Sequence, residues 1–291
     1  MDWLTATRSF CQVVEQGSFT AAAQALATSP SAVSKRIDWL EGRLGVTLFI
    51  RTTRRVSLTE EGQTYLQHAR SLLKQFEAMV ADTRASGREP LGTLRLAAPV
   101  SVGSVLLMPH IKAFMARHPG IRFQLDTLPP GTQPDLDHDL VICRKRDDFD
   151  SPYHRGLPLR DYHLQMWASP DYLASRPPIR GPEDLEAHRF IIASYQKRDG
   201  MVEMEEGFSI PLDNFGLVTD NVEALLQAGL SGMGIVFASE VFLRAYVEQG
   251  LLRPVLPQVR SVRRQIWAFY PKADFMPLKT KLFLEFLKER L

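Results

Sequence analysis

The sequence predicts an α/β protein with a helix-rich, winged helix-turn-helix at its N-terminus and a two-lobed α/β domain behind it. Three observations lead to this prediction. An alanine-rich segment is followed by a tight turn and by a segment with apolar residues at helical spacing. A long amphipathic helix comes next, and short apolar strands then alternate with helices up to the C-terminus. With 291 residues, the chain is long enough for two or three domains.

The composition is that of an ordinary globular protein, with 45% hydrophobic and 23% charged residues. The chain has no apolar run long enough to cross a membrane, and its first residues lack the layout of a signal peptide. Two cysteines, Cys11 and Cys143, make no disulfide framework. We therefore expect a cytoplasmic protein that has no membrane partner.

Three short helices open the chain. The first is predicted over Trp3–Gln16 and ends at Gly17, since glycine is common at helix C-termini. The second is predicted over Thr20–Ala27, where alanines keep its surface thin enough for a neighbour to approach closely. A tight turn leads to the third helix, which Ser29 can cap and in which Pro30 suits the first position.

The third helix has two different faces. Its apolar residues form one buried stripe, namely Val33, Ile37, Leu40 and Leu44. The opposite face is polar and consists of Ser31, Ser34, Lys35 and Asp38. Hydroxyls and a lysine near a helix N-terminus are suited to base edges and phosphates in the major groove of DNA. We therefore predict that this helix reads duplex DNA, although many helical hairpins share the same geometry.

A two-stranded hairpin is predicted after the third helix, because apolar residues alternate on both sides of a basic turn. The turn carries Arg51, Arg54 and Arg55, which would reach phosphates or the minor groove as the wing of the motif. Residues 30–59 have a net charge of +4 in a chain whose total is +2. This local excess fits a nucleic-acid surface; the alternative is a solvated basic face.

A long helix is predicted from Thr59 to about Ser86. One apolar seam runs along it at coiled-coil spacing and consists of Leu66, Ala69, Leu73, Phe76 and Val80. We predict that this seam pairs two subunits, which would suit two half-sites on DNA. The alternative is that the seam packs against the chain's own C-terminal domain.

The N-terminal segment "SFTAAAQALATSPSAVSKRIDWLEGRLGVTLFIRTTRRVSLTEEG" resembles the signature of LysR-type transcriptional regulators. The resemblance is sharp up to Gly62 and looser along the rest of the chain. It implies a winged helix-turn-helix at residues 1–59, a linker helix at 60–87 that pairs subunits, and an effector-binding domain at 88–291. It also implies a tetramer on double-stranded DNA, a small organic acid or aromatic molecule as effector, and RNA polymerase as a further candidate partner.

The resemblance assigns DNA contacts to specific positions of this chain. In the third helix the matching residues are Ser29, Pro30, Ser31, Ser34 and Lys35, and in the wing they include Arg51 and Arg54. Pro30 stands where the family commonly has a polar residue. Because proline cannot donate a hydrogen bond, we expect an apolar contact from this position to a thymine methyl group.

The last two hundred residues repeat a strand–helix pattern that fits two lobes with parallel sheets better than one. The resemblance likewise implies a periplasmic-binding-protein-like fold with a ligand cleft between the lobes. We expect lobe one at 91–160 and 270–291 and lobe two at 161–269.

Ligands in open α/β sheets bind beyond the carboxyl ends of strands. The residues that follow the predicted strands are therefore candidates for effector binding: Pro99, Val100, Ser101, Arg144, Lys145, Ser194, Tyr195, Thr219, Asn221 and Phe237. The run from Cys143 to Arg146 departs from the family pattern, with Cys143 where an arginine is usual. It could indicate an anionic effector, a lysine that fills the cleft, or a solvated basic edge.

Other functional classes fit the sequence less well. The glycines around Gly232 follow a helix and enter a strand, which is the reverse of the order in a dinucleotide-binding fingerprint. The acidic cluster around His138 is more typical of a turn than of a metal site. No catalytic motif is present, so neither an enzyme nor a cofactor is expected. Basic neighbours could lower the pKa of Cys143, which leaves redox sensing as an alternative.

Overall fold

The computed structural model describes residues 1–51, 56–84, 90–129, 132–135, 137–145, 149–273 and 275–291. The predicted wing residues Arg54 and Arg55 lie outside these ranges, and the side chain of Arg51 is likewise not described. The chain divides into two compact units. Unit one comprises Met1–Leu91 with Ala273–Leu278, and unit two comprises Gly92–Lys272 with Lys279–Leu291.

Unit one consists of short helices, a small hairpin and one long helix. Its elements are α1 (Trp3–Gln16), α2 (Phe19–Ala25), α3 (Pro30–Leu44), β1 (Phe49–Arg51), β2 (Val56–Leu58) and α4 (Glu60–Arg84). The three short helices begin at residues whose side chains accept a hydrogen bond from a backbone N–H three residues further on: Asp2, Ser18 and Ser29. These caps satisfy donors that a helix leaves free at its first turn. Gly17 and Gly45 end α1 and α3 with positive φ values of 62° and 73°.

The core of unit one joins all of its helices to the hairpin. Phe10 of α1 is fully buried, with its ring centroid 5.1 Å from those of both Phe49 and Tyr65. Gly62 at the start of α4 packs so closely on the backbone just before β1 that an added Cβ would lie 2.1 Å from the Leu48 carbonyl oxygen. Only glycine fits this approach without moving the backbone, so the first turn of α4 and the hairpin are fixed to each other.

Unit two begins with a five-stranded mixed sheet, which we call lobe one. Its strands are β3 (Gly92–Ala98), β4 (Ile121–Thr127), β5 (Leu140–Arg144), β6 (His154–Tyr162) and β14 (Arg264–Pro271), and they lie in the order β4-β3-β5-β14-β6. The first three strands are mutually parallel, and β14 is antiparallel to both of its neighbours. The helix predicted after β3 has a π-helical segment at Val102–Leu107 and continues as α5 (Met108–Arg117). The terminal α10 covers Leu278–Lys288.

Lobe two is a second five-stranded mixed sheet. It contains β7 (Gln165–Ala168), β8 (Phe190–Ala193), β11 (Phe215–Thr219), β12 (Ile235–Ala238) and β13 (Arg253–Val255), in the order β11-β8-β12-β7-β13. Its helices are α6 (Pro170–Ala174), a 3₁₀ turn (Pro182–Ala187), α7 (Ser194–Asp199), α8 (Val222–Leu230) and α9 (Glu240–Glu248). A separate hairpin is formed by β9 (Met201–Glu203) and β10 (Ser209–Pro211). Apolar clusters bury both faces of the lobe-two sheet.

The sheet pairing corrects the expected lobe boundaries. We expected residues 161–269 to form lobe two, but β14 pairs with β5 and β6 and so belongs to the sheet of lobe one. The reason is that β6 and β14 are the two segments by which the chain leaves lobe one and returns to it. Lobe one therefore extends to Tyr162 and resumes at Arg264. Among the described residues, none of the helices has the length and apolarity needed to cross a membrane.

Candidate nucleic-acid interface and effector cleft

The outer face of α3 is the first candidate site. Val33, Ile37 and Leu40 are fully buried, which fixes the rotation of the helix about its axis. The residues predicted to contact DNA consequently lie on the opposite side: Ser29, Pro30, Ser31 and Lys35 are exposed and Ser34 is half-buried. They occupy the first turns of the helix, where the helix dipole and free backbone N–H groups favour a phosphate.

The serines of this face differ in how far they are engaged within the chain. Ser29 Oγ caps the helix by accepting from the Ala32 N–H at 3.2 Å, and it lies 3.0 Å from Ser31 Oγ. Ser34 Oγ donates to Asp38 Oδ2 at 3.4 Å, which is a long hydrogen bond. Ser29 is therefore a structural cap first, whereas Ser31 has a hydroxyl that can also turn to an external acceptor.

Glu41 is an important residue of this region that was not predicted from the sequence. Its Oε1 accepts hydrogen bonds from the backbone N–H groups of Leu48 at 2.7 Å and Phe49 at 3.2 Å. These bonds join the last turns of α3 to the start of β1. This carboxylate thus contributes directly to the position of the hairpin relative to α3. The signal in the sequence was a glutamate within a predominantly basic segment.

The hairpin β1–β2 has the pairing expected for a wing. Phe49 pairs with Leu58 and Arg51 with Val56, so Arg51 lies at the tip end of β1. The base of the hairpin is tied to α4 by Thr59, whose Oγ1 donates to the Thr47 carbonyl at 2.7 Å and accepts from the Gly62 N–H at 2.9 Å. The base of the hairpin is therefore fixed to the first turn of α4.

The predicted dimerisation seam of α4 is largely used inside the chain. Ala69 is only 3% exposed and belongs to the core of unit one, against which Leu66 and Leu73 also pack. The guanidinium of Arg8 lies 5.9 Å from the centroid of the Phe76 ring, and Val80 is half-buried. The prediction that this stripe faces a second subunit is wrong for Ala69, because its side chain is already covered by α1 and its neighbours.

A different stripe of α4 is exposed instead. Leu72 and Met79 are 52% and 50% exposed and lie seven residues apart, on one side of the helix. The helix therefore has two apolar sides. One completes the core of unit one, and the other faces outward in a single chain.

The effector candidates of lobe one lie where β3 and β5 end. Val100 is 47% exposed and Pro99 is half-buried. Ser101 has helical backbone angles, and its side chain makes no capping hydrogen bond. Lys145 is exposed, and its Nζ lies 5.0 Å from the centroid of the Trp267 ring. The half-buried Arg144 lines a shallow recess with Phe149 and Phe269.

The effector-binding candidates of lobe two lie in different environments. Asn221 caps α8, accepting from the N–H groups of Glu223 and Ala224, and Thr219 Oγ1 accepts from the Asn221 N–H at 3.0 Å. Phe237 is 3% exposed within the core of lobe two, so its prediction as a cleft residue is wrong. The side chains of a buried strand alternate between two covered faces, and Phe237 stacks there on Phe190 with ring centroids 5.5 Å apart.

Ser194 and Tyr195 follow β8 at the start of α7, where Ser194 is exposed and Tyr195 is half-buried. Burial raises the pKa of Tyr195 to about 12, and the nearby charges of Arg264 and Arg144 act in the opposite direction. Burial also raises the pKa of Tyr162, on which the same two arginines act. The structure thus brings together, at the passage between the lobes, two tyrosines and two arginines. Sequence reasoning found Arg144 and Tyr195 but missed Tyr162 and Arg264.

Cys143 does not have the environment of a redox sensor. Its side chain is 5% exposed, and burial raises the pKa of the thiol to about 12. Because the thiolate is the reactive form, this cysteine is in an unreactive state at neutral pH. The expectation that basic neighbours could lower its pKa is therefore wrong.

The acidic cluster near the end of β4 is a hydrogen-bonded turn. The ring of His138 lies between two carboxylates, with Nδ1 2.8 Å from Asp135 Oδ1 and Nε2 3.0 Å from Asp126 Oδ2. The hydrogen bond to Asp135 is the main reason that the pKa of His138 is raised, and burial opposes it. Burial would raise the pKa of Asp135, but the hydrogen bond and charge of His138 outweigh it, so this pKa is lowered.

Known proteins match both units of the chain. Residues 4–63 match the bacterial regulatory helix-turn-helix protein family of LysR type, and residues 87–291 match the LysR substrate-binding domain. An HTH-type transcriptional repressor of Pseudomonas aeruginosa is 30% identical over 99% of this chain and 92% of its own length. The HTH-type transcriptional regulator CrgA of Neisseria meningitidis is 31% identical over 97% of this chain and 95% of its own length.

Solved structures of other proteins are similar to this chain over nearly its full length. The structure of CrgA covers 98% of this chain and 97% of its own, with a TM-score of 0.59 and 29% identity. The full-length structure of AphB, a virulence activator of Vibrio cholerae, covers 99% and 98% of the two chains, with a TM-score of 0.63 and 26% identity. The chain belongs to the LysR family of helix-turn-helix transcriptional regulators, with a DNA-binding domain and an effector-binding domain.

Proposed function

We propose that this chain binds specific sites on duplex DNA through α3 and the β1–β2 wing and that a small molecule between its two lobes controls it. The exposure of Ser31 and Lys35 on the first turns of a capped helix, whose other face is fully buried, supports the DNA contact most directly. Lys35 and the wing residues Arg51, Arg54 and Arg55 would contact phosphates and supply most of the salt-dependent affinity. Pro30, Ser31 and Ser34 would contribute specificity.

The effector site in this proposal uses residues of both lobes. Those that remain candidates are Pro99, Val100, Ser101, Arg144, Lys145, Ser194, Tyr195, Thr219 and Asn221. A small organic acid or an aromatic molecule bound there would change the angle between the lobes. A regulator without an effector, whose cleft is filled by its own side chains, is the competing proposal within the same class.

The assembly in this proposal is a homodimer, paired along α4, and two such dimers form a tetramer. The exposed Leu72 and Met79 support pairing along α4 because they leave an apolar stripe outside the core of unit one. The regulator would act in the cytoplasm, where its DNA is, and RNA polymerase is a further proposed partner. Catalysis is not part of the proposed function.

The DNA-binding assignment is tested by the salt dependence of affinity. Operators are selected from a pool of randomised duplexes with the wild-type chain, and dissociation constants are then measured by fluorescence anisotropy over a range of salt concentrations. Lys35→Ala is expected to weaken binding and to reduce the slope of log K against log salt by about 1, as for one lost phosphate contact.

The matched control is Lys112→Ala, which removes the same charge from an exposed position on α5 in unit two. This variant should leave the slope unchanged. A Lys35→Ala variant with the wild-type slope would remove Lys35 from the interface and would contradict the proposed docking of α3.

A further inference from the structure

Arg264 occupies a special position in unit two. It is the first residue of β14, directly after the chain has returned from lobe two, and its Cα partner across the sheet is Tyr162, the last residue of β6. These two residues therefore stand side by side on the two strands that connect the lobes. Tyr162 also packs against the apolar core of lobe two, which brings the pair to the boundary between the lobes.

Two of the three guanidinium nitrogens of Arg264 are buried without a hydrogen-bond partner among the described residues. Its Nε and Nη1 atoms are inaccessible to solvent and make no hydrogen bond within the part of the chain that the structure describes. The side chain as a whole stays partly exposed, so that a solute can reach it. A buried donor without an acceptor costs free energy, and an unpaired buried charge costs more. Such a group in a native fold calls for an explanation.

The acidic residue of β6, Asp161, points to the face of the sheet opposite Arg264. Asp161 accepts hydrogen bonds from Gln265 at 2.8 Å and from Arg263 at 3.3 Å. Because neighbouring residues of a strand point to opposite faces, these three side chains share the face opposite Tyr162 and Arg264. Arg263 thus has a carboxylate partner on one face, while on the other face no carboxylate of the described residues pairs with Arg264.

The surroundings of Arg264 are cationic and phenolic. Its charge and that of Arg144 act on Tyr162 and also on Tyr195, which comes from lobe two. Among the described residues, the acidic group that acts on Tyr195 is Asp199, and its effect is the smallest of those named. Burial raises the pKa of both phenols, so they stay protonated and able to donate hydrogen bonds at neutral pH. Two cations and two hydroxyl donors converge where lobe one meets lobe two.

We propose that Arg264 binds the oxyanion of a small acidic effector at the passage between the lobes, with the hydroxyl groups of Tyr162 and Tyr195 as further donors. This inference rests on the proposed effector cleft. It identifies the effector as an acid and not as a neutral aromatic molecule. The oxyanion would satisfy the buried guanidinium and offset the repulsion between Arg264 and Arg144. Since Tyr195 belongs to lobe two and Arg264 to lobe one, the same ligand would contact both lobes.

The experiment compares Arg264→Gln with Arg263→Gln in the full-length chain. Thermal unfolding is followed first in sodium chloride and then at equal ionic strength with acetate, benzoate, sulfate or phosphate, and with benzamide as the neutral partner of benzoate. We expect at least one oxyanion to raise the Tm of the wild type and of Arg263→Gln. Arg264→Gln should bind that probe about 10- to 100-fold more weakly, as for a lost charge-assisted hydrogen bond. Comparing acetate and benzoate with sulfate and phosphate shows which class of oxyanion the site binds more tightly.

A second readout requires no ligand. If Arg264 is an unpaired cation, Arg264→Gln should unfold in chloride at a Tm equal to or above that of the wild type. A lower Tm than that of Arg263→Gln would mean that Arg264 already has a structural partner, and would overturn the inference. Equal oxyanion effects in Arg264→Gln and the wild type, or none in either, would overturn it as well.

The outcomes separate this inference from the proposed function. Equal stabilisation of both variants and the wild type by benzoate and benzamide would support a small-molecule cleft while removing Arg264 from it. The DNA-binding assignment depends on the Lys35 experiment and is unaffected by either result.

Discussion

At the scale of single residues, the difference between Arg263 and Arg264 is the clearest example of what local sequence leaves open. The two residues have the same side chain and are neighbours in the sequence. The alternation of side chains at the start of β14 gives Arg263 a carboxylate partner, while two nitrogens of Arg264 are buried with no acceptor among the described residues. This contrast depends on which residues of β6 lie opposite. That information is in the sheet register, which the periodicity of one strand does not contain.

His138 provides a pH-dependent contribution to stability that can be measured. Its pKa is raised in the folded chain, mainly by Asp135, so this contribution is fully present below the ordinary histidine pKa of about 6.5 and is lost as pH rises through the folded pKa. The pKa of Asp135 is lowered, so its contribution is present above the unfolded pKa and is lost as pH falls through the folded pKa. The pair therefore stabilises most in mildly acidic solution.

We expect His138→Gln to lose stability relative to the wild type at pH 6 and to approach the wild type as the pH rises above about 8. Chemical denaturation of the full-length chain across this range measures the difference. His154→Gln is the control, because it removes a nearby histidine whose hydrogen-bond partners, Ser151 Oγ and the backbone carbonyl of Asp135, are uncharged. A difference between His138→Gln and wild type that does not change with pH would contradict the assignment.

At the scale of elements, the sequence predicted those that have their own periodicity and end signals. The bounds of α1 agree with the prediction, since Gly17 ends the helix as expected. The strand β6 was missed because its residues, HRGLPLRDY, contain glycine and proline and do not alternate cleanly. Most of β14 was assigned to the wrong lobe, because the strand that it pairs with, β6, is distant in the sequence.

The positions of the candidate site residues could likewise be predicted where local periodicity decides them, and not where contacts distant in the sequence decide them. The outward face of α3 could be predicted because the buried stripe of a helix determines its exposed side. The cleft residues were chosen only as residues that follow strands, a rule that takes no account of alternation. It therefore included Phe237, which is in the core. The role of Glu41 could not be predicted, since the backbone N–H groups that donate to it lie seven and eight residues further along the chain, beyond the end of α3.

The two sides of α4 lead to a prediction about assembly. Leu72→Asp places a charge on the exposed stripe, and we expect it to weaken the dimer strongly while unit one stays folded, because Leu72 is 52% exposed in the single chain. Leu73→Ala is the matched variant on the core side. It should cost about 1–2 kcal/mol of folding stability for a half-buried leucine, with little effect on self-association.

Sedimentation velocity gives the oligomeric state of both variants, and thermal unfolding gives their stability. The reverse pattern, in which Leu73→Ala dissociates the dimer and Leu72→Asp does not, would restore the original seam as the subunit interface.

At the scale of the whole molecule, control of DNA binding by an effector requires the two events to be coupled energetically. Coupling is reciprocal: an effector that changes the affinity for DNA by a given factor must itself bind with an affinity changed by the same factor when DNA is present. An effector that stabilises the chain at one hundred times its dissociation constant should add about 2.7 kcal/mol to the free energy of unfolding.

We therefore expect an effector found by thermal unfolding of the full-length chain, against a set of small organic acids and aromatics, to alter the affinity for the selected operator. Titrating the same compound with and without that operator should give the same ratio of dissociation constants. A compound that binds in the cleft but leaves both ratios at one is a ligand without a regulatory role. If no compound stabilises the chain, the regulator with a filled cleft becomes the better proposal.

The two connections between the lobes have one more consequence, for how this architecture can be altered. His163 and Leu164 on the outgoing connection bond to Ser261 on the return: the Leu164 N–H donates to Ser261 Oγ at 2.8 Å, and the Ser261 N–H donates to the Leu164 carbonyl at 2.9 Å. Lobe two is thus one continuous stretch of chain whose two ends are neighbours. Such a segment can be replaced by the corresponding segment of a related chain, because the two junctions needed for the exchange are adjacent in the structure.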